Sequence, residues 1–356
     1  MAHFRVIDTG VREGRSQIAF DQALIELHRE RRIPDTIRFL TFPPTVLIGR
    51  HQALSQEIRV DACKIANVGI GRRITGGGAL YLDEGQFGWE LVFHRDTLGI
   101  SSLTDLTRSI CEAAAFGLSR LGIDAHYRPR NDIEVGGRKL CGTGGFFDGN
   151  TLFYQGTTLV DMDTEKMVSL LNIPDAKLAK HAAVSAAQRV ITLHELFNGH
   201  PPKVDDVKKA LLEGFREKLG ISYEFGAISS EEEQLAAKIY ADEIGTDDFV
   251  YEIDNPSSEA GILSGQVTGK GGTIAAHIRL DGPQRDRIRE VIITGDFFVT
   301  PPRTIYDLEA ALRGILVSDC RSAIESYFKN ANVGLLTAEP ADFVAALDAA
   351  LAQRTK

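Results

Sequence analysis

The sequence predicts a mixed α+β protein, on three observations. Strand-like and helix-like stretches alternate along its 356 residues without a fixed-period repeat or low-complexity tract. Hydrophobic residues make up 43% and charged residues 25%, the balance of a globular chain long enough to bury one large core and a smaller one. The texture changes beyond an acidic linker at about 225–250, which closes a first domain of residues 1–250 and leaves a small α+β unit of residues 251–356.

Each element follows from its local pattern. "HFRVIDTG" alternates like a strand, and "SQIAFDQALIELHRERR", with Ser16 as a cap and apolar Ile18, Leu24, Ile25 and Leu27, suits an amphipathic helix. "DTIRFLTFPPTVLIGRHQ" reads as two strands separated by Pro43 and Pro44, since consecutive prolines break a ladder. After a glycine-rich stretch, "FGWELVFHR" is a further strand, in which Trp89 alternates with Phe87 and Leu91 as a core residue. "TDLTRSICEAAAFGLSRLG" is a helix ending at Gly122. "HYRPRNDIEV", "RKLCGTGGFF" and "TLFYQGTTLVDM" are strand-rich with glycine turns, followed by helices from Thr164 to about Leu171 and from Val204 to Leu219. In the C-terminal unit "GTIAAHIRLDGPQRDRIREVIITGDFF" reads as a hairpin and "YDLEAALRGI" as a helix. The charges at Glu231 to Glu233 read as a solvated helix face.

Composition narrows the function. A formal charge of −9 argues against a general nucleic-acid binder, so any anion site is local. Cys63, Cys111, Cys141 and Cys320 form no CxxC pair and no cluster at zinc-ligand spacing, and read as free thiols in a reducing compartment. His94, His126 and His277 are likewise scattered. The N-terminus lacks an apolar signal core and no apolar run approaches the roughly 20 residues needed to cross a bilayer, so a cytoplasmic protein is expected. A monomer is expected as well.

Two stretches carry chemistry. In "RRITGGGALYLDEGQ" the glycines let the backbone of Thr75, Gly76, Gly77 and Gly78 turn several N–H groups toward one anion, and Arg72 and Arg73 add charge suited to phosphate or carboxylate. A tight turn between two strands explains the same glycines. In "RPRNDIEVGGRKLCGTGG" a hairpin turning at Gly136-Gly137 places Asn131 and Asp132 beside Lys139, a set that suits a nucleotide with its metal. A surface hairpin with an exposed ion pair is the alternative.

In this order and spacing, "DTG" with "AFDQALIE", "FPPTVLIGRHQ", "RRITGGGALYLDEGQ", "RNDIEVGGRKLCGTGG" and "YQGTTLVDMD" resemble the lipoate-protein ligase A family over roughly residues 4 to 220. "IREVIITGDFF" with "YDLEAALRGI" resembles the small accessory domain that many of these ligases carry. The resemblance implies a biotin/lipoate ligase-like catalytic domain of mixed sheets flanked by helices. It also implies a two-step reaction, in which lipoate and ATP give lipoyl-AMP and pyrophosphate, and a lysine of an acceptor protein then takes the lipoyl group. Acceptors of the kind implied are lipoyl domains of 2-oxoacid dehydrogenases, the glycine-cleavage H protein or a related lipoate-binding protein.

By motif position, Lys139 corresponds to the ammonium that touches both the lipoate carboxylate and the α-phosphate. Arg72, Arg73, Thr75, Gly76, Gly77, Gly78 and Ala79 resemble the loop that shapes the nucleotide and acyl pocket. Asn131 and Asp132 resemble the pair beside the phosphates, with Asp132 as the Mg²⁺ partner. Gly142 belongs to the same strand motif, and Gly156 and Thr157 resemble the strand that closes the acyl tunnel.

The chain departs from the family pattern at Leu82, Gln86, Gln155 and Ala187, which bears on acyl preference and acceptor more than on fold. Lipoate and octanoate both fit one apolar tunnel. Two other functions compete. An ATP-independent octanoyl or lipoyl transferase of the same superfamily passes the acyl group through a cysteine thioester, for which Cys141 is the candidate. Transferases of that kind carry their cysteine in the loop before the equivalent of "NDIEV", which here reads "DAHYRPR". A non-catalytic lipoyl-domain binding module needs no nucleotide site, so Lys139, Asp132 and the glycine loop together count against it.

Overall fold

The computed structural model describes residues 2–100, 102–172, 188–269 and 272–355. Two compact units emerge. The first comprises Met1–Leu47, Ile58–Arg72 and Leu80–Val250, and the second Ile48–Glu57, Arg73–Ala79 and Tyr251–Lys356. Two short N-terminal segments therefore pack with the C-terminal unit, although the sequence reading placed them in residues 1–250.

The first unit is built on β1 (Ala2–Val11), β2 (Thr36–Thr41), β6 (Gln86–His94), β7 (His126–Arg128), β8 (Asp132–Val135), β9 (Arg138–Asp148), β10 (Thr151–Leu159) and β11 (Ile221–Phe225). They form one mixed sheet of order β11-β1-β2-β6-β10-β9-β8-β7. The strands on either side of Pro43-Pro44 separate as expected, but into different sheets. β3 (Thr45–Ile48) joins β4 (Gly69–Arg72) and β5 (Leu80–Leu82) in a three-stranded one.

Register assigns the faces of the large sheet. The row Ile133, Cys141, Thr158, Phe87 and the row Thr143, Gly156, Trp89, Phe39 point to one side, because directly opposed residues share a face. There α4 (Leu103–Ser119) and α7 (Val204–Leu219) bury Leu106, Ile110, Leu211 and Phe215 against them. Gly117 and Gly214 let these helices meet backbone to backbone: a Cβ on Gly117 would stand 2.3 Å from the Ala210 carbonyl oxygen. The opposite rows, Asp132, Gly142, Thr157, Gly88 and then Gly144, Gln155, Glu90, Arg38, face the side of α1 (Gly14–Arg29). The cap of α1 is Glu13, whose carboxylate accepts the Ser16 N–H at 2.9 Å, so Ser16 lies inside the first turn and not at the cap.

The acidic run is not a linker. It forms α8 (Ser230–Ile239), closed by a Ser229–Glu232 capping box, within the first unit. Of Glu231 to Glu233, only Glu232 leaves the solvated face: it is fully buried against Arg5, whereas Glu233, paired with Arg12 at 2.7 Å, and Glu231, paired with Arg32, stay partly exposed. Basic residues far away in sequence supplied the partners that local pattern does not show.

In the second unit β12 (Ile262–Gly269), β13 (Gly272–Asp281) and β14 (Arg287–Gly295) form an antiparallel sheet. Ile274, Ile278 and Ile293 pack with α10 (Thr304–Leu312), α11 (Cys320–Asn330) and α12 (Pro340–Leu351) through Leu308, Ile324 and Phe343. Gly265 admits α12, since a Cβ there would lie 2.0 Å from the Ala350 nitrogen.

Candidate functional site

The turn between β8 and β9 is Gly136-Gly137, at φ +58° and +78°, values that glycine adopts without steric cost. A register shift between Ile133 and Glu134 then sets Glu134 opposite Lys139 and Asp132 opposite Gly142. Through it Lys139 Nζ reaches Asp132 Oδ1 at 2.8 Å, with the two side chains 34% and 16% exposed. The main chain of Lys139 is fixed as well, its carbonyl accepting the Ile191 N–H at 2.9 Å. Gly142 supplies the space: a Cβ at that position would stand 2.5 Å from both Cε and Nζ of Lys139.

Asp132 has a second cation. Arg128 donates to its Oδ2 and lies 3.4 Å from Glu134, which also bonds His126 at 3.0 Å. Burial pushes the Asp132 carboxyl up, but Lys139 and Arg128 outweigh it and hold the group below its ordinary value. Both oxygens of this carboxylate are engaged by cations, Oδ1 by Lys139 and Oδ2 by Arg128. Asn131 has a different task from the expected one. Its side-chain amide donates to the Thr143 main-chain carbonyl, while its main-chain carbonyl accepts the Thr143 N–H at 2.9 Å and hydroxyl at 2.9 Å. It fastens β9 and does not reach the ammonium.

Gly156 and Thr157 point to opposite faces. A Cβ on Gly156 would meet the Trp89 ring at 2.2 Å, so this glycine serves the core, whereas Thr157 shares the row of Asp132 and Gly142. Leu82 is buried in β5, Gln155 lies opposite Glu90, and the Gln86 amide is 3.5 Å from Asp83. Ala187 lies outside the described residues.

The paired arginines divide between the units. Arg72, 1% exposed in the first, donates from Nε and Nη2 to the Phe249 and Val250 carbonyls at the end of α9 (Asp247–Val250). Arg73 belongs to the second, with Thr75, Gly76, Gly77, Gly78 and Ala79, and donates to carbonyls of that loop. Both guanidiniums thus bond backbone oxygens.

All four cysteines are buried and free of disulfides. Burial pushes the Cys141 thiol up to about 12 and those of Cys111 and Cys320 up to about 11, and raises Cys63 too. Cys141 faces the helix-covered side of the sheet, away from the Lys139 row, so the geometry does not make it a nucleophile. Sequence reading missed Arg128 as the second cation on Asp132. Its signal was the "RPRND" spacing, four residues across a tight turn. Among the described residues no helix is long and apolar enough to cross a membrane.

The mixed sheet thus holds the partly exposed Lys139 ammonium against the Asp132 carboxylate, in room left by Gly142. The chain belongs to the lipoyl protein ligase A/B catalytic domain family, whose model matches residues 13–216. An octanoyltransferase LipM from Kyrpidia tusciae is 30% identical over 271 residues, covering 68% of this chain and 98% of the relative. The bi-partite lipoate protein ligase of Thermoplasma acidophilum, from a structural analysis that includes its E2 lipoyl domain, superposes with TM-score 0.65 at 26% identity, over 71% of this chain and 98% of that one. A lipoate-protein ligase A bound with ATP gives TM-score 0.61 at 25% identity, over 71% and 99%. The protein is an enzyme of this lipoate ligase and octanoyltransferase family.

Proposed function

We propose that the protein is an ATP-dependent lipoate-protein ligase. MgATP and the lipoate carboxylate react to give lipoyl-AMP and pyrophosphate: a carboxylate oxygen bonds the α-phosphorus as the bond to the pyrophosphate oxygen breaks. The amine of an acceptor lysine then attacks the acyl carbon, AMP departs, and the amine loses its proton. Both steps gather charge on oxygens. Lys139 offers an ammonium where two anions must approach, and Asp132 with Arg128 fixes where that ammonium sits. The observation that carries the reading is this open Lys139–Asp132 pair beside Gly142, in a chain whose four thiols are all buried.

Within the first unit Arg72, Gly142 and Thr157, and within the second Thr75 to Ala79 with Arg73 behind them, are proposed to serve nucleotide or lipoate binding, with Asn131 and Gly156 supporting the strands. Mg²⁺ enters as part of the nucleotide substrate. The acceptor is a lipoyl domain or a similar lipoate-binding protein, by likeness to the archaeal ligase studied with its E2 lipoyl domain. The name of the Kyrpidia relative favours a second reading, octanoyl transfer. Lipoate-dependent exchange of labelled pyrophosphate into ATP by the purified protein is the expected result. Its absence, with octanoyl groups passing between carrier proteins without ATP, would replace the ligase with the transferase.

A further inference from the structure

Within the C-terminal unit, the loop of residues 73–79 is fastened through its carbonyls. Arg73 is 4% exposed, and its Nη2 donates to the Gly76 oxygen at 3.1 Å and to the Gly78 oxygen at 2.8 Å. The Thr75 oxygen accepts the Arg50 N–H at 2.9 Å, and the Ile48 oxygen accepts the Arg73 N–H at 2.8 Å. The glycines permit close packing against the end of β14. A Cβ on Gly76 would stand 2.0 Å from the Phe297 oxygen, and one on Gly77, at φ +92°, would stand 2.8 Å from the Phe298 ring. The N–H of Gly77 makes a long bond of 3.4 Å to the Phe297 oxygen. Those of Gly76, Gly78 and Ala79 make none to the described residues.

A peptide group has two ends, and a glycine-rich loop rotates its peptides at little steric cost. A loop that is to receive an anion must present N–H groups and turn its oxygens away. We propose that Arg73 is a positioning residue for the nucleotide. Its guanidinium gathers the Gly76 and Gly78 oxygens, keeps the N–H groups of Gly76, Gly78 and Ala79 available to phosphate oxygens, and does not itself touch the phosphate. The inference rests on the nucleotide reading given above. It assigns Arg73 a task different from the charge contact expected from its place beside the glycines.

The two tasks call for different replacements. Arg73→Gln keeps N–H donors for the carbonyls without the charge, Arg73→Lys keeps the charge without the planar pair of donors, and Arg73→Met removes both. Titration calorimetry with MgATP, with thermal unfolding as the folding control, separates them. We expect Arg73→Met to weaken ATP binding about tenfold or more, and Arg73→Gln to recover most of that loss and exceed Arg73→Lys. Recovery by Lys and not by Gln would overturn the proposal in favour of direct contact with phosphate, and unchanged binding in all three would remove any role. Should Arg73→Met fail to fold, the contrast between Gln and Lys decides alone. Wild-type protein that binds ATP but performs no lipoate-dependent exchange would sink the ligase reading and leave this inference to the binding data; wild-type protein that binds no ATP would sink both.

Discussion

Two ion clusters lie on the same face of the large sheet, one closed and the other open. Arg38, Asp21 and Glu90 are each at most 2% exposed. Arg38 donates to Asp21, to Glu90 at 2.9 Å, to Gln17 and to Thr9 at 3.1 Å, and the Phe20 ring lies 4.6 Å away. Burial raises both carboxyls, Glu90 well above its ordinary value, against the lowering effect of Arg38. Lys139 has the same kind of partner but keeps donors unused: among the described residues its ammonium bonds Asp132 alone, and a third of the side chain meets solvent. A polar cluster that satisfies itself specifies packing. One that leaves donors unsatisfied, in space reserved by a glycine, is equipped to take a ligand.

Breaking each cluster has a different consequence. Lys139→Ala should reduce lipoate-dependent pyrophosphate exchange by about 10²–10³-fold while leaving thermal unfolding unchanged. Arg38→Met should leave two buried acids without their cation and cost about 3–5 kcal/mol in denaturant unfolding. Equal loss of stability in both would erase the distinction.

Two glycines sharpen it. Gly156→Ala drives a Cβ into the rigid Trp89 ring and should destabilise by about 1–3 kcal/mol. Gly142→Ala meets only the tip of Lys139, which swings aside, so activity should fall with stability nearly intact. Denaturant curves and exchange rates on the two proteins give the comparison.

A smaller effect belongs to the C-terminal unit. Burial raises both Glu57, which faces Asp296, and Glu309 from an ordinary 4.5 to about 7. Folded values above unfolded ones mean that their contribution to stability is complete below about pH 4.5 and is lost as pH rises through about 7. Glu57→Gln and Glu309→Gln should flatten unfolding free energy across that window. An unchanged slope would contradict the assignment.

The strands, the helix Val204–Leu219 and the Asp132–Lys139 pair were legible because each rests on local pattern: apolar spacing, glycine turns and hairpin register. What escaped depends on partners distant in sequence. Nothing near Glu232 announces Arg5, and nothing near Arg73 says that its guanidinium turns back onto the carbonyls of its own loop. The second cation on Asp132 was four residues away, but a proline turn sets its direction. The cysteines show the same limit, since alternation alone would set Cys141 on the face of Lys139, and the register shift between Ile133 and Glu134 sends the buried thiol to the other side.

The most direct test is lipoyl transfer to a lipoyl domain, followed by mass spectrometry, with Lys139→Ala and Cys141→Ala beside the wild type. The account predicts transfer that requires ATP, survives Cys141→Ala and disappears in Lys139→Ala. Transfer without ATP that Cys141→Ala abolishes would contradict it.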